Sequence, residues 1–242
     1  MTADRVRLTV AMMSATALGR ADLHVHPAGN RTSGGSSSVF LAVLLAARLD
    51  VVGLTDHNRI DIAVELSARE ADAGRALVIG EEITTREGHL IGLGLRALVA
   101  PGGSLGDTVA EIHAQGGIAI VAHPLLPMLG SASPRVIEAL AQGRPDRRPD
   151  ALEAFNPRAA WLPGYRRRVE KLAAGAGYAI VGGSDAHQPV TVGRGVTRFR
   201  GRTFADLAAA IATRETVAQG RAYGFRDLLP AARHRAGTEG RG

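Results

Sequence analysis

Six of the eight histidines stand where apolar, strand-like runs end or begin. His24 and His26 lie in Asp22-Leu23-His24-Val25-His26, His57 in Thr55-Asp56-His57-Asn58, and His89 just before Leu90-Ile91. His123 lies in Ala122-His123-Pro124, and His187 in Ser184-Asp185-Ala186-His187. Residues i and i+2 of a strand share a face, so His24 and His26 can point into one cleft, as can Asp185 and His187. Glu81 and Glu82 follow the run Ala76 to Ile79. One such histidine is an ordinary structural group, whereas six at strand ends, most with carboxylates beside them, are the donor set of a metal centre. Cysteine is absent, so imidazole and carboxylate must hold the ions, and their softness points to Zn, Mn or Fe.

Elements that can gather such residues follow from the hydrophobic pattern. Helix-like and strand-like segments alternate, which predicts parallel strands joined by crossover helices. The strands are Val51–Leu54, Ala76–Ile79, Leu90–Leu95, Ile118–Val121, Ala151–Phe155, Tyr178–Val181 and a last one at Val192–Val196. The helices are Val39–Leu49, Ile62–Ala73, Ser104–Gln115, Pro134–Ala141, Tyr165–Ala174 and Phe204–Ala212, with Gly143–Pro149 as a polar linker. About seven strand–helix units predict an α/β barrel, and in parallel α/β folds the strand ends converge on the face where sites are built.

With 242 residues and 45% hydrophobic content the chain is long enough for one sizeable core. The expected division is an extension or added strand over 1–20, a catalytic domain over 21–229 and a disordered tail over 230–242. Arg5 and Arg7 before Leu8–Gly19 loosely imitate a secretory leader, but Thr9, Ser14 and Thr16 interrupt it, which favours the added strand. No segment reaches the ~20 apolar residues of a membrane span, and a cytoplasmic protein is expected. The net charge of +6 is almost wholly arginine, since Lys171 is the only lysine. A basic chain attracts phosphates and nucleic acids alike, but with three Tyr, five Phe and one Trp it has little stacking surface for single strands. A small phosphorylated substrate is therefore favoured over nucleic acid. No oligomeric state follows from the sequence.

The ordered motifs H-x-H, T-D-H, G-x-E, a lone histidine and G-S-D-x-H resemble those of the PHP (polymerase and histidinol phosphatase) phosphoesterases, over roughly residues 21–215. The resemblance implies a distorted seven-stranded, TIM-like β/α barrel with two or three divalent ions at the C-terminal ends of its strands. It implies that His24, His26, Glu82 and Asp185 hold one ion, and that Glu82 bridges to a second held by His89 and His123. His57 and His187 resemble ligands of a third. The third site usually takes another Asp or His from the loop after H-x-H, and the stretch Pro27 to Ser38 contains neither. Either Asn30 or a serine substitutes there, or His57 and His187 act as hydrogen-bonding or proton-transfer groups. Asp56 is expected to orient an imidazole. Arg158, in Glu153-Ala154-Phe155-Asn156-Pro157-Arg158, resembles the family's substrate-side E-x-x-N segment and is a candidate phosphate clamp.

Two divalent ions close together activate a bridging water and neutralise phosphoryl oxygens, so no protein nucleophile is required. The expected activity is hydrolysis of a small phosphomonoester or phosphodiester, a nucleotide included. An amidohydrolase-like attack on a carbonyl at the same ions, and a non-catalytic PHP regulatory module, are the alternatives. Arg31, Met128, Trp161 and Leu162 lie in loops beside these motifs, and His113 and His234 lie away from them; none is given a role.

Overall fold

In a computed structural model, the protein is described over residues 18–28, 43–44, 47–69, 76–126 and 130–224. The strands in chain order are β1 (Leu18–Val25), β2 (Val51–Leu54), β3 (Ala76–Thr85), β4 (Gly88–Leu93), β5 (Ile118–Val121), β6 (Ala151–Phe155), β7 (Ala179–Gly182), β8 (Gly195–Arg200) and β9 (Val217–Gly220). The helices are α1 (Asp61–Arg69), α2 (Leu105–Ala114), α3 (Pro134–Gln142), α4 (Tyr165–Ala176) and α5 (Phe204–Ala212). Ser104, Ser133 and Thr203 cap α2, α3 and α5 by accepting from the backbone N–H three residues on.

The nine strands form one sheet in the order β7-β6-β5-β4-β3-β2-β1-β8-β9. The sheet curls into a nearly closed barrel. The chain beyond β7 returns to β1 through the parallel bridge between Val25 and Ala186, with His26 N donating to Ala186 O at 2.8 Å. At the other end of the seam β8 runs antiparallel to β1, and Thr197 Oγ1 bonds both the N–H and the carbonyl of Gly182 at 2.9 Å. Strands β1 to β7 thus make the seven-stranded α/β barrel, and the antiparallel pair β8–β9, linked through α5, is added against its seam.

Three expectations need correction. β4 is antiparallel to both β3 and β5, because only Arg86 and Glu87 separate it from β3 and so short a link makes a hairpin. β3 runs on to Thr85, so Glu81 and Glu82 lie within it. The last expected strand lies at Gly195–Arg200, not Val192–Val196, and β9 was unforeseen. Most of the expected helix Val39–Leu49 falls outside the described residues, as does the tail from Pro230; Val43 and Leu44 are helical. The supposed boundary after residue 20 falls inside β1, and residues 1–17 lie outside the described ones.

Strand alternation sorts the barrel. In β1, Leu23 and Val25 pack against apolar neighbours, while Asp22, His24 and His26 share the opposite face. No helix among the described residues is long and apolar enough to cross a membrane.

Candidate metal centre

The strand ends bring together every residue of the expected ligand set. His24 lies in β1 and His26 directly follows it, His57 follows β2, Glu82 lies in β3, and His123 follows β5. Asp185 and His187 follow β7. His89 begins β4, and because β4 runs backwards its first turn lies at the same end of the barrel as the last residues of the parallel strands. His89 pairs with Thr84 in that hairpin.

Glu82 is at the middle of the cluster and its two oxygens face different partners. Oε1 lies 2.9 Å from His89 Nδ1 and 3.0 Å from His123 Nε2. Oε2 lies 3.2 Å from each of His24 Nε2, His26 Nε2 and His57 Nδ1. Asp185 Oδ1 closes the second set, 3.8 Å from His24 Nε2 and 3.4 Å from His26 Nε2. The backbone bridge between His57 and Glu82 fixes their register. Glu81, one residue earlier, points to the other face, where its Oε2 accepts from Val99 N at 3.1 Å and burial pushes its carboxyl up to about 7.

Outer contacts fix the rings. His24 Nδ1 lies 3.0 Å from Glu153 Oε1, and donation there leaves Nε2 with its lone pair toward the centre. Glu153 Oε2 accepts from His123 N and from Asn156 Nδ2. Ser131 Oγ donates to the His123 carbonyl and stands 3.3 Å from His123 Nδ1, which selects Nε2 as the inward nitrogen. Asp22 accepts from Ser184 N and Gly193 N and so ties β1 to the Asp185 segment. Gly183 lets these parts meet: a Cβ there would sit 2.5 Å from both Glu153 Oε1 and His24 Cβ. Glu153, Asp22 and Ser131 were not assigned from the sequence. The carboxylates lie inside apolar strand runs, which was the available signal, and Ser131 carried none.

Asp56 does not orient His57. Its Oδ1 accepts from Ala28 N at 2.8 Å and its Oδ2 has no hydrogen-bond partner, so it fixes the turn after His26 instead. The rest of the loop that would complete a third site, residues 29–38, lies outside the described residues. Arg158 reaches the cluster, with Nε 3.2 Å from Asp185 Oδ2 and Nη2 3.1 Å from His187 Nδ1. His113 is elsewhere, within α2, where it meets Asp150 just before β6, and His234 lies outside the described residues.

Depth is graded. The His24, His26, Glu82, His123 and Asp185 side chains are buried, whereas His57 and His187 are 46% and 36% exposed and Arg158 is 38% exposed. Burial disfavours charge on the floor, yet Glu153, Glu82 and Asp185 hold the His24 imidazole well above its ordinary value. Burial likewise works against ionisation of Glu82, but His24, His123 and His26 keep its carboxyl well below the usual range. At the rim, burial and His26 push His187 down to about 4, and burial lowers His57 despite Glu82, so both imidazoles are neutral, the form that ligates.

The donors fit divalent cations. His24 Nε2, His26 Nε2 and Glu82 Oε2 are buried without hydrogen-bond partners, a costly arrangement that a cation would satisfy. Among the described residues, four overlapping groups bring donor atoms within 4.8 Å of one another: His24/His26/Asp185, His24/Glu82/His123, His57/Glu82/His89 and His26/His57/His187. His123 and Asp185 adopt positive φ, 25° and 52°, backbone strain of the kind that gathers at functional sites.

Comparison with known proteins adds the lineage. A family model described as PHP-associated (PHP_C) matches residues 163–216, from the turn before α4 through the Ser184–His187 motif to α5. Residues 163–216 thus match a PHP-associated family model, and the ordered motifs upstream resemble those of the same family. An uncharacterised protein of Methanocaldococcus jannaschii is 38% identical over 108 residues, 45% of this chain and 58% of that one. Among solved structures, a two-domain Bacteroides vulgatus protein containing a predicted PHP-like metal-dependent phosphoesterase superposes with TM-score 0.64 at 21% identity, over 85% of this chain and 66% of that one. The lesion-specific endonuclease of Pyrococcus furiosus superposes with TM-score 0.58 at 15% identity, over 81% of this chain and 56% of its own. The chain therefore spans less than two thirds of the length of each of these relatives.

Proposed function

We propose that this PHP domain is a metal-dependent hydrolase of a small phosphoester. The observation that carries the proposal is the division of Glu82, with His89 and His123 at one oxygen and His24, His26 and His57 at the other. Divalent ions, which Glu82, His24, His26, His89, His123 and Asp185 would hold, would supply Lewis acidity toward the phosphoryl oxygens and lower the pKa of a neighbouring water.

The chain's own groups do the rest. Glu153 and Ser131 hold the His24 and His123 rings in the tautomers that face the centre. Arg158 binds and orients the phosphoryl group, a task suited to a planar guanidinium. His187 has Nδ1 beside the Asp185 carbonyl and Arg158, which leaves Nε2 as the ring nitrogen open to a ligand or to the leaving oxygen. In the overall reaction a water oxygen bonds to phosphorus, the bond from phosphorus to the alkoxide oxygen breaks, and a proton from the water ends on that alkoxide.

The test is turnover of a chromogenic phosphomonoester and phosphodiester by the full chain, with and without added Mn. Metal-dependent release from either supports the proposal. Metal binding with no release from any phosphoester, but cleavage of an amide or lactone, moves the chemistry to a carbonyl and overturns it.

A further inference from the structure

Asp185 has a left-handed backbone, with φ of 52°, which costs a residue other than glycine energy that its surroundings must offset. In an extended chain successive carbonyls point to opposite sides, whereas in a helical turn they align. The carbonyls of Ser184 and Asp185, on either side of the turn, both meet one hydroxyl. Tyr223 Oη shares its proton between the Ser184 oxygen and, at 3.2 Å, the Asp185 oxygen.

The other contacts of this segment act elsewhere. Asp22 accepts from Ser184 N and Gly193 N, while Asn156 Nδ2 and Arg158 Nε approach the Asp185 carboxylate itself, at 3.4 Å and 3.2 Å. His187 Nδ1 meets the Asp185 carbonyl at 3.1 Å. Among the described residues, Tyr223 supplies the side chain bonded to both carbonyls of the turn.

Tyr223 comes from 38 residues further along the chain, just past the end of β9. Pairing of β9 with β8 is prolonged by Arg221 N, which donates to Arg194 O at 2.9 Å. The added strand pair thus returns the chain to the back of the Asp185 turn. On the front, that turn aims Asp185 Oδ1 at His26 Nε2 and His24 Nε2, 3.4 and 3.8 Å away. An extended backbone at Asp185 would swing the carboxylate off both rings.

Taking the metal centre described above as the premise, we propose that Tyr223 is a positioning residue for the ion that His24, His26 and Asp185 would hold: its hydroxyl locks the left-handed turn that aims the Asp185 carboxylate. The set at Glu82 Oε1, formed by His89 and His123, does not include Asp185, so the lock bears on one ion and not the other.

The test is stepwise calorimetric titration of the metal-depleted full chain with Mn, in wild type, Tyr223→Phe, Asp185→Ala and the double variant. Phenylalanine keeps the ring and removes only the hydroxyl. Asp185→Ala identifies the binding step that belongs to the His24, His26 and Asp185 set. In Tyr223→Phe that step is expected to weaken about 10-fold, with the other step unchanged. The double variant is expected to bind Mn as Asp185→Ala does, because a residue acting through Asp185 adds nothing once that carboxylate is gone. A merely structural hydroxyl would lower the melting temperature in chelator and leave both affinities alone. Wild-type affinity at both steps in Tyr223→Phe, equal weakening of both, or additive losses in the double variant overturns the positioning role and leaves the centre standing. Wild-type binding of Mn by Asp185→Ala overturns the ligand assignment and the proposal together.

Discussion

Glu153 Oε1 lies 3.0 Å from His24 Nδ1, and its second oxygen accepts from the backbone N–H of His123. One buried carboxylate therefore sets the orientation of a ring on β1 and of the chain after β5. Glu153→Ala leaves the His24 ring free to turn and the His123 N–H without a partner. Metal affinity is expected to fall about 10–100-fold, the usual effect of losing such an outer contact. Titration of metal-depleted protein with Mn checks this; affinity equal to wild type would show that Glu153 does not position His24.

Arg158 touches Asp185 and His187 while remaining partly exposed. Arg158→Ala is expected to raise KM for a phosphomonoester by about tenfold or more. Arg158→Lys is expected to restore only part of that, since an ammonium lacks the bidentate fork. Full rescue by lysine would reduce the role of Arg158 to charge alone.

Metal removal is expected to lower thermal stability, because the partnerless atoms of His24, His26 and Glu82 then face one another without a cation. Ion present at one hundred times its Kd stabilises by about 2.7 kcal/mol, and a chain of this size shifts by about 2–4 °C per kcal/mol. A melting temperature about 5–10 °C lower in chelator than in Mn is the expected result. Identical melting in both would argue against ions bound at this floor.

His113 lies far from this cluster and gives the protein a separate pH dependence. Its Nε2 is 3.0 Å from Asp150 Oδ2 and its Nδ1 is 3.1 Å from the Asp146 carbonyl, so both ring nitrogens meet acceptors. The bond to Asp150 raises the imidazole pKa against partial desolvation. A raised folded value means that His113 contributes its full stabilisation below the ordinary pKa of about 6.5 and loses it as pH rises through the raised one. The melting temperature of wild type minus that of His113→Gln is expected to shrink from pH 6 to pH 9. A difference independent of pH would contradict the charged pair.

The gathering of the histidines was legible because strand periodicity is strict: one residue's shift would send His24 and His26 to the opposite face. Glu82 was preferred to Glu81 through the G-x-E motif of the resemblance, and in the structure Glu81 instead accepts from Val99 N. The β3–β4 hairpin was hidden because Glu81-Glu82-Ile83-Thr84-Thr85 looks too charged for a buried strand, and only a polar site at the barrel mouth makes that burial tolerable. Charge also concealed β8, where Arg198 and Arg200 alternate with Thr197 and Phe199. Glu153 and Asp22 act through partners more than a hundred residues away, on His24 and on Ser184, and local spacing holds no trace of such contacts.

The most direct test of the metal centre is elemental analysis of reconstituted wild type beside Glu82→Ala. Among the described residues, Glu82 is the side chain whose two oxygens face both histidine sets, so the wild type is expected to retain at least two equivalents and the variant to lose metal from both sets together. No metal in the wild type after reconstitution, or a full complement in Glu82→Ala, would contradict a centre built across that carboxylate.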